Sequence, residues 1–106
     1  MEQGALFNNM LAQEPNVKGI GGRLFLKFDM ENPQKVSLYH YDNLIKTVEL
    51  TDRVAKRLLV VEAVEMGATK SRLAAALQIS RQSIHNYTEI KKHFGLEGLI
   101  HIHRTD

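Results

Sequence analysis

The chain has 106 residues, 43% hydrophobic and 25% charged, with two prolines and no cysteine. That is the composition of a folded globule rather than a disordered tail. At this length about two-thirds of the unfolded surface can be buried, which argues against a large active-site cleft, and the lack of thiols excludes disulfides and thiolate zinc sites. The net charge of +2 is unevenly spread: residues 1–50 hold 5 Lys and Arg against 6 Asp and Glu, whereas residues 51–106 hold 9 against 6.

The opening "MEQGALFNNMLAQE" has no basic stretch ahead of an apolar one, and no apolar run approaches about 18 residues, so neither a secretion signal nor a membrane span is expected. Within the N-terminal segment, 1–22, residues 2–13 are compatible with a short helix or with loose chain, and "GIGG" at 19–22 reads as a turn. "RLFLKFD" then alternates, Leu24, Leu26 and Phe28 on one face and Arg23, Phe25 and Lys27 on the other, as a half-buried strand does. "ENPQ" breaks it, "KVSLYHY" alternates again, and "LIKTVEL" supplies a third run of β-formers. A hairpin loop Tyr41-Asp42-Asn43, with Asn43 as the left-handed bulge, would put Val36, Leu38 and His40 on the same face as Leu44, Lys46 and Val48. Residues 23–50 are thus expected to form a three-stranded antiparallel meander.

Thr51 is the expected N-cap of a helix over "DRVAKRLLVVEAVEMG", with Asp52 in its first turn, Val54, Leu58, Val61 and Val64 as its buried stripe, and Gly67 as its stop. Thr69 would cap a second helix, "KSRLAAAL", and Ser80 a third that runs to Phe94 before Gly95. A helix-turn-helix needs a small residue at the helix crossing, an apolar residue after the turn, and two apolar anchors one turn apart on the second helix. Ala74, Ile79, Ile84 and Tyr87 stand at those offsets, with Leu73 and Leu77 on the buried face of the first helix. One position departs from the pattern. The turn usually holds Gly for its positive φ, but here it holds Gln78, which predicts either a strained left-handed Gln or a different turn.

The third helix divides by face, with Ile84, Tyr87, Ile90 and Phe94 toward the core and Arg81, Gln82, His85, Asn86, Glu89 and Lys92 away from it. Arg pairs bidentately with guanine, and Gln or Asn with adenine, on the major-groove edge, and the N-terminal part of this helix is the part that enters the groove. Arg81, Gln82, His85 and Asn86 are therefore the candidate base readers, and Lys70, Arg72, Ser80, Lys91 and Lys92 the candidate phosphate contacts.

The stretch "GATKSRLAAALQISRQSIHNYTEIKKHFGLEGLI", 67–100, resembles the N-terminal helix-turn-helix region of bacterial insertion-sequence transposases, including an "EGL" segment at Glu97-Gly98-Leu99. The resemblance covers about a third of the chain and implies binding to the terminal repeats of a mobile element, in a bacterial cytoplasm at the nucleoid. In such transposases a separate RNase H-like domain with three acidic residues and Mg²⁺ cuts and joins DNA. With the sequence ending at Asp106, that domain is not expected, and a truncated reading frame, an excised domain or a stand-alone binder are the forms open.

Other motifs carry less. "GIGG" leads into a strand without an adjacent Lys-Ser or Lys-Thr, so a turn is favoured over a phosphate loop. "HIH" at 101–103 has no carboxylate at a supporting spacing, and Glu62 and Glu65 read as a solvated face rather than a catalytic pair. The expectation is an α+β chain in which the meander packs with a three-helix unit over 51–100, followed by a tail at 101–106. Double-stranded DNA is its expected partner, and no catalysis, cofactor, metal, membrane or small-molecule substrate is expected. A transcriptional regulator that forms a homodimer through the meander is the alternative within DNA binding. An adaptor that presents the meander's third strand, or Phe25, Tyr39 and Tyr41, is the alternative from another class.

Overall fold

The computed structural model describes residues 16–101, so the helix-or-loose reading of 2–13 and the second histidine of "HIH" lie outside the described residues. The chain is α+β: among the described residues four strands, β1 (Val17–Gly21), β2 (Leu24–Phe28), β3 (Lys35–His40) and β4 (Asn43–Glu49), precede three helices, α1 (Arg53–Glu65), α2 (Lys70–Leu77) and α3 (Arg81–Ile100). The strands form one antiparallel sheet in the order β1-β2-β3-β4.

The expected three strands are therefore joined by a fourth. β1 falls within the segment 1–22, expected to be helical or loose with a turn at 19–22, and no strand is legible there because "VKGIG" is short, contains two glycines and breaks alternation where its register shifts between Gly19 and Gly21. The turn that follows is Gly22-Arg23, so of the "GIGG" expected to be a turn only Gly22 lies in it and residues 19–21 belong to β1; Gly21 (90°), Gly22 (63°) and Arg23 (60°) are successive residues at positive φ.

Leu24, Leu26, Val36 and Leu38 are buried on one face of the sheet, in one cluster with residues of all three helices. The expected parity holds for Val36 opposite Val48 and Leu38 opposite Lys46. It fails at Leu44, because β4 is bulged at Ile45, which puts Leu44 opposite Tyr39 on the other face. The β3–β4 turn is correspondingly shorter than expected. His40 pairs with Asn43 across Tyr41-Asp42, and the left-handed residue is Tyr41 (φ 57°) rather than Asn43. Tertiary contacts hold Tyr41 there: its N–H donates to the Arg23 carbonyl (2.9 Å), and the Arg23 guanidinium lies 5.4 Å from the centre of its ring. In the β2–β3 turn the Asp29 carboxylate accepts the amides of Glu31 (2.8 Å) and Asn32 (3.0 Å), and these bonds hold its pKa below the ordinary value.

α1 is capped by Asp52, not Thr51: the Asp52 carboxylate accepts the Ala55 N–H at 3.1 Å. Its buried face is also broader than the expected stripe. Leu59, Val60, Val61 and Ala63 are buried, while Val54, Leu58 and Val64 are only half-buried. A helix packed against both β4 and α3 buries more than one stripe. The same face holds buried Arg57, whose Nη1 donates to the Leu99 carbonyl at 3.1 Å.

The sheet meets the helices through closely approaching backbones. Gly67, at φ 116°, ends α1, and the Thr69 N–H donates to the Ile20 carbonyl of β1 at 2.7 Å. A Cβ on Gly22 would stand 2.7 Å from the Gly67 oxygen, and one on Gly21 would stand 2.5 Å from Thr69 Oγ1. Thr69 precedes α2 in extended conformation but makes no side-chain cap.

α3 is interrupted at Gly95 (φ 71°, ψ −167°), a conformation open essentially to glycine alone, and the chain then makes one more helical turn. The break returns Leu99 to the core, where it is fully buried. Phe94, expected in the core, is instead 71% exposed. Leu99 closes that end of the core in its place, and Gly98 lies against Ile90 and Phe94.

Two substitutions test this packing. Gly22→Ala would combine a left-handed backbone with a backbone clash at Gly67, so thermal or urea unfolding should show a loss of more than about 1 kcal/mol. Ala74→Leu, at a position only 6% exposed, should overpack the core beneath α2 and cost about 1–3 kcal/mol in the same measurement.

Candidate nucleic-acid interface

α2 and α3 are joined by Gln78, Ile79 and Ser80. Gln78 adopts φ 57° and ψ 45°, so of the two alternatives left open by the sequence, the left-handed glutamine is the one found. It terminates α2 as a left-handed cap, with its own N–H and that of Ile79 directed at the Ala74 carbonyl, the latter at 3.1 Å. Ile79 then packs against the core, and the Ser80 hydroxyl accepts the Ser83 N–H at 3.0 Å to start α3. Ser80 Oγ also donates to Ser83 Oγ at 3.0 Å, so the hydroxyl expected to touch phosphate is engaged in the cap.

With Ile84 fully buried and Tyr87 3% exposed, α3 cannot rotate about its axis without losing core contacts. This anchoring leaves Arg81, Gln82, His85 and Asn86 exposed. Arg81, Gln82 and His85 share one shallow surface recess with Lys70 of α2. Asn86 joins them through a hydrogen bond from Gln82 Nε2 to its Oδ1 at 3.0 Å. Two side-chain amides coupled in this way still present one free acceptor and one free donor outward. Neither α2 nor α3 has an acidic residue in its first turn, so no side chain there offsets the positive ends of the two helices.

The candidate phosphate residues scatter more widely. Lys70 faces the recess, and Lys92 is exposed on the stripe of α3 that carries Arg81 and His85. Arg72 is exposed on another side of α2, in a recess with Val17, Lys18 and Gly19 of β1. Lys91 Nζ is bound to Glu65 Oε2 of α1 at 2.6 Å, so a phosphate contact there would compete with an existing ion pair. Glu62, the other acid weighed on α1, pairs with Lys46 at 2.8 Å. His93 lies 3.3 Å from Glu89, and His101 lies 3.7 Å from Glu97.

Lys18, which lines the recess of Arg72, is not among the expected phosphate contacts, because the strand that places it there has no clear alternation in the sequence. Among the described residues, no three His, Cys, Asp or Glu gather as a metal site would require, and no helix is long and apolar enough to cross a membrane. In comparisons with known proteins, no family model, curated protein or solved structure matches the chain.

The left-handed Gln78 has a measurable consequence. A β-carbon at positive φ is strained where glycine is not, so Gln78→Gly should raise stability by about 0.5–1 kcal/mol, read as a higher melting temperature.

Proposed function

We propose that the chain binds duplex DNA, with α2 and α3 acting as a helix-turn-helix and the N-terminal half of α3 reading bases in the major groove. The observation that carries this reading is the face shared by Arg81, Gln82, His85 and Lys70, which has no acidic residue among them and is held in place by buried Ile84 and Tyr87. Arg81 suits a guanine. The coupled amides of Gln82 and Asn86 leave the donor and acceptor that an adenine edge requires. Lys70, Arg72 and Lys92 are the phosphate contacts, being exposed or half-exposed cations that make no ion pair among the described residues.

The resemblance of residues 67–100 to transposase DNA-binding regions supports terminal-repeat recognition as the biological role. A small regulator would use the same surface. The adaptor reading draws less support: Phe25 and Tyr39 are half-buried partners across β2 and β3, and Tyr41 is packed against Arg23.

Site selection from a random duplex pool, followed by binding measured against salt, tests the proposal. A protein that neutralises about four to six phosphates should give a log–log salt slope of about −4 to −5. Lys70→Ala and Lys92→Ala should weaken binding to every duplex alike. Arg81→Ala and Gln82→Ala should cost about 1–3 kcal/mol on the selected site and much less on random DNA. If both sets of variants behave identically on both duplexes, α3 does not read sequence. If no duplex is retained at about 50 mM salt, the DNA-binding reading fails.

A further inference from the structure

Among the described residues β1 is an edge strand, and α2 packs beside it. Lys18 pairs with Leu26 in the β1–β2 register, and Leu26 lies on the helix-covered face, so Lys18 emerges on the side of the sheet that carries α2. There it lines a recess with Arg72, together with Val17, Gly19, Ala75 and Ala76. Gly19, Ala75 and Ala76 add little side-chain bulk to the recess, which leaves an anion room to approach both charges. The Phe28 N–H donates to the Asn16 carbonyl, and continuing that alternation along the antiparallel ladder directs the Gly19 amide outward, away from β2. Among the described residues, neither Lys18 nor Arg72 makes an ion pair and no acidic side chain lines the recess.

Lys70 and Arg72 are two residues apart, about 200° around a helix, so they flank α2 on different sides. Lys70 shares the recess of the base-reading residues, while Arg72 shares that of Lys18. We infer that Lys18 and Arg72, with the Gly19 amide, form a second phosphate-contact point on the sheet edge, so that α2 is bracketed by backbone contacts and β1 takes part in holding the duplex. This inference rests on the DNA-binding reading and deepens it. It adds a strand to the interface and accounts for Arg72 being turned away from the base-reading face.

The test uses the full chain and two duplexes, the selected site and a random sequence of the same length. Lys18→Gln and Arg72→Gln should each reduce the log–log salt slope by about one and the double variant by about two, to the same extent on both duplexes. Lys18→Arg should retain the wild-type slope. Lys46→Gln, which removes the same unit of charge at the opposite edge strand β4, should leave the slope unchanged and serves as the control for net charge. Thermal melts of each variant separate binding from folding. If Lys18→Gln keeps the wild-type slope, or loses no more than Lys46→Gln does, the sheet-edge contact is overturned. Continued loss of site preference in Arg81→Ala would then leave the α3 reading standing. Failure of the wild-type chain to bind either duplex would overturn both.

Discussion

The arrangement of this chain depends on the close approach of two backbones, the turn after β1 and the connection between α1 and α2. Gly22 and Gly67 meet where a β-carbon would lie 2.7 Å from a carbonyl oxygen, and the Thr69 N–H is bonded to the Ile20 carbonyl. α2 starts immediately after this junction, so backbone geometry sets where it begins relative to the sheet, and burial of Leu73, Ala74 and Leu77 holds it there. The orientation of α3 follows from that of α2 through three connecting residues and the buried anchors Ile84 and Tyr87. A displacement at the junction would therefore be transmitted to the exposed face of α3.

Further bonds tie α3 to α1. Lys91 reaches Glu65, and buried Arg57 donates to the Leu99 carbonyl beyond the Gly95 break. An exposed ion pair contributes about 0–1 kcal/mol. The buried guanidinium matters more for specificity, because it must find acceptors once it is withdrawn from water. The Leu99 carbonyl is one of them, which fixes where the final turn of α3 docks. The same device explains why Phe94 is exposed: the core beneath this end of α3 is closed by Leu99, which comes back after the break.

The cationic side chains show the same division between structure and surface. Lys46 and Lys91 are neutralised by glutamates of α1 and so contribute to packing between elements. Lys18, Lys70, Arg72, Arg81 and Lys92 have no ion pair among the described residues. Their charges are available to a polyanion, and they lie on α2, on α3 and on the sheet edge beside α2. Counting Lys and Arg along the sequence cannot make this distinction, because partners 26 residues apart meet only in the folded chain.

The sequence by itself determined the three later strands, the helices and their order, the core-facing Leu24, Leu26, Val36, Leu38, Ile84 and Tyr87, and the exposed polar stripe of α3. All of these follow from local periodicity, in which residues two or about 3.6 apart share a face. It also marked Gln78 as anomalous, since the demand for positive φ is a property of the turn itself. Only the tertiary structure decided the rest. β1 is too short and too glycine-rich to alternate clearly, and it is recognisable as a strand through its pairing with β2 and its bond to Thr69. The left-handed residue of the β3–β4 turn is Tyr41 rather than Asn43 because Arg23, 18 positions earlier, supplies both a carbonyl and a cation to hold it. Lys18 entered the candidate interface, and Lys91 was drawn into an ion pair, for the same reason: which charges stand together depends on contacts between elements that no local pattern encodes.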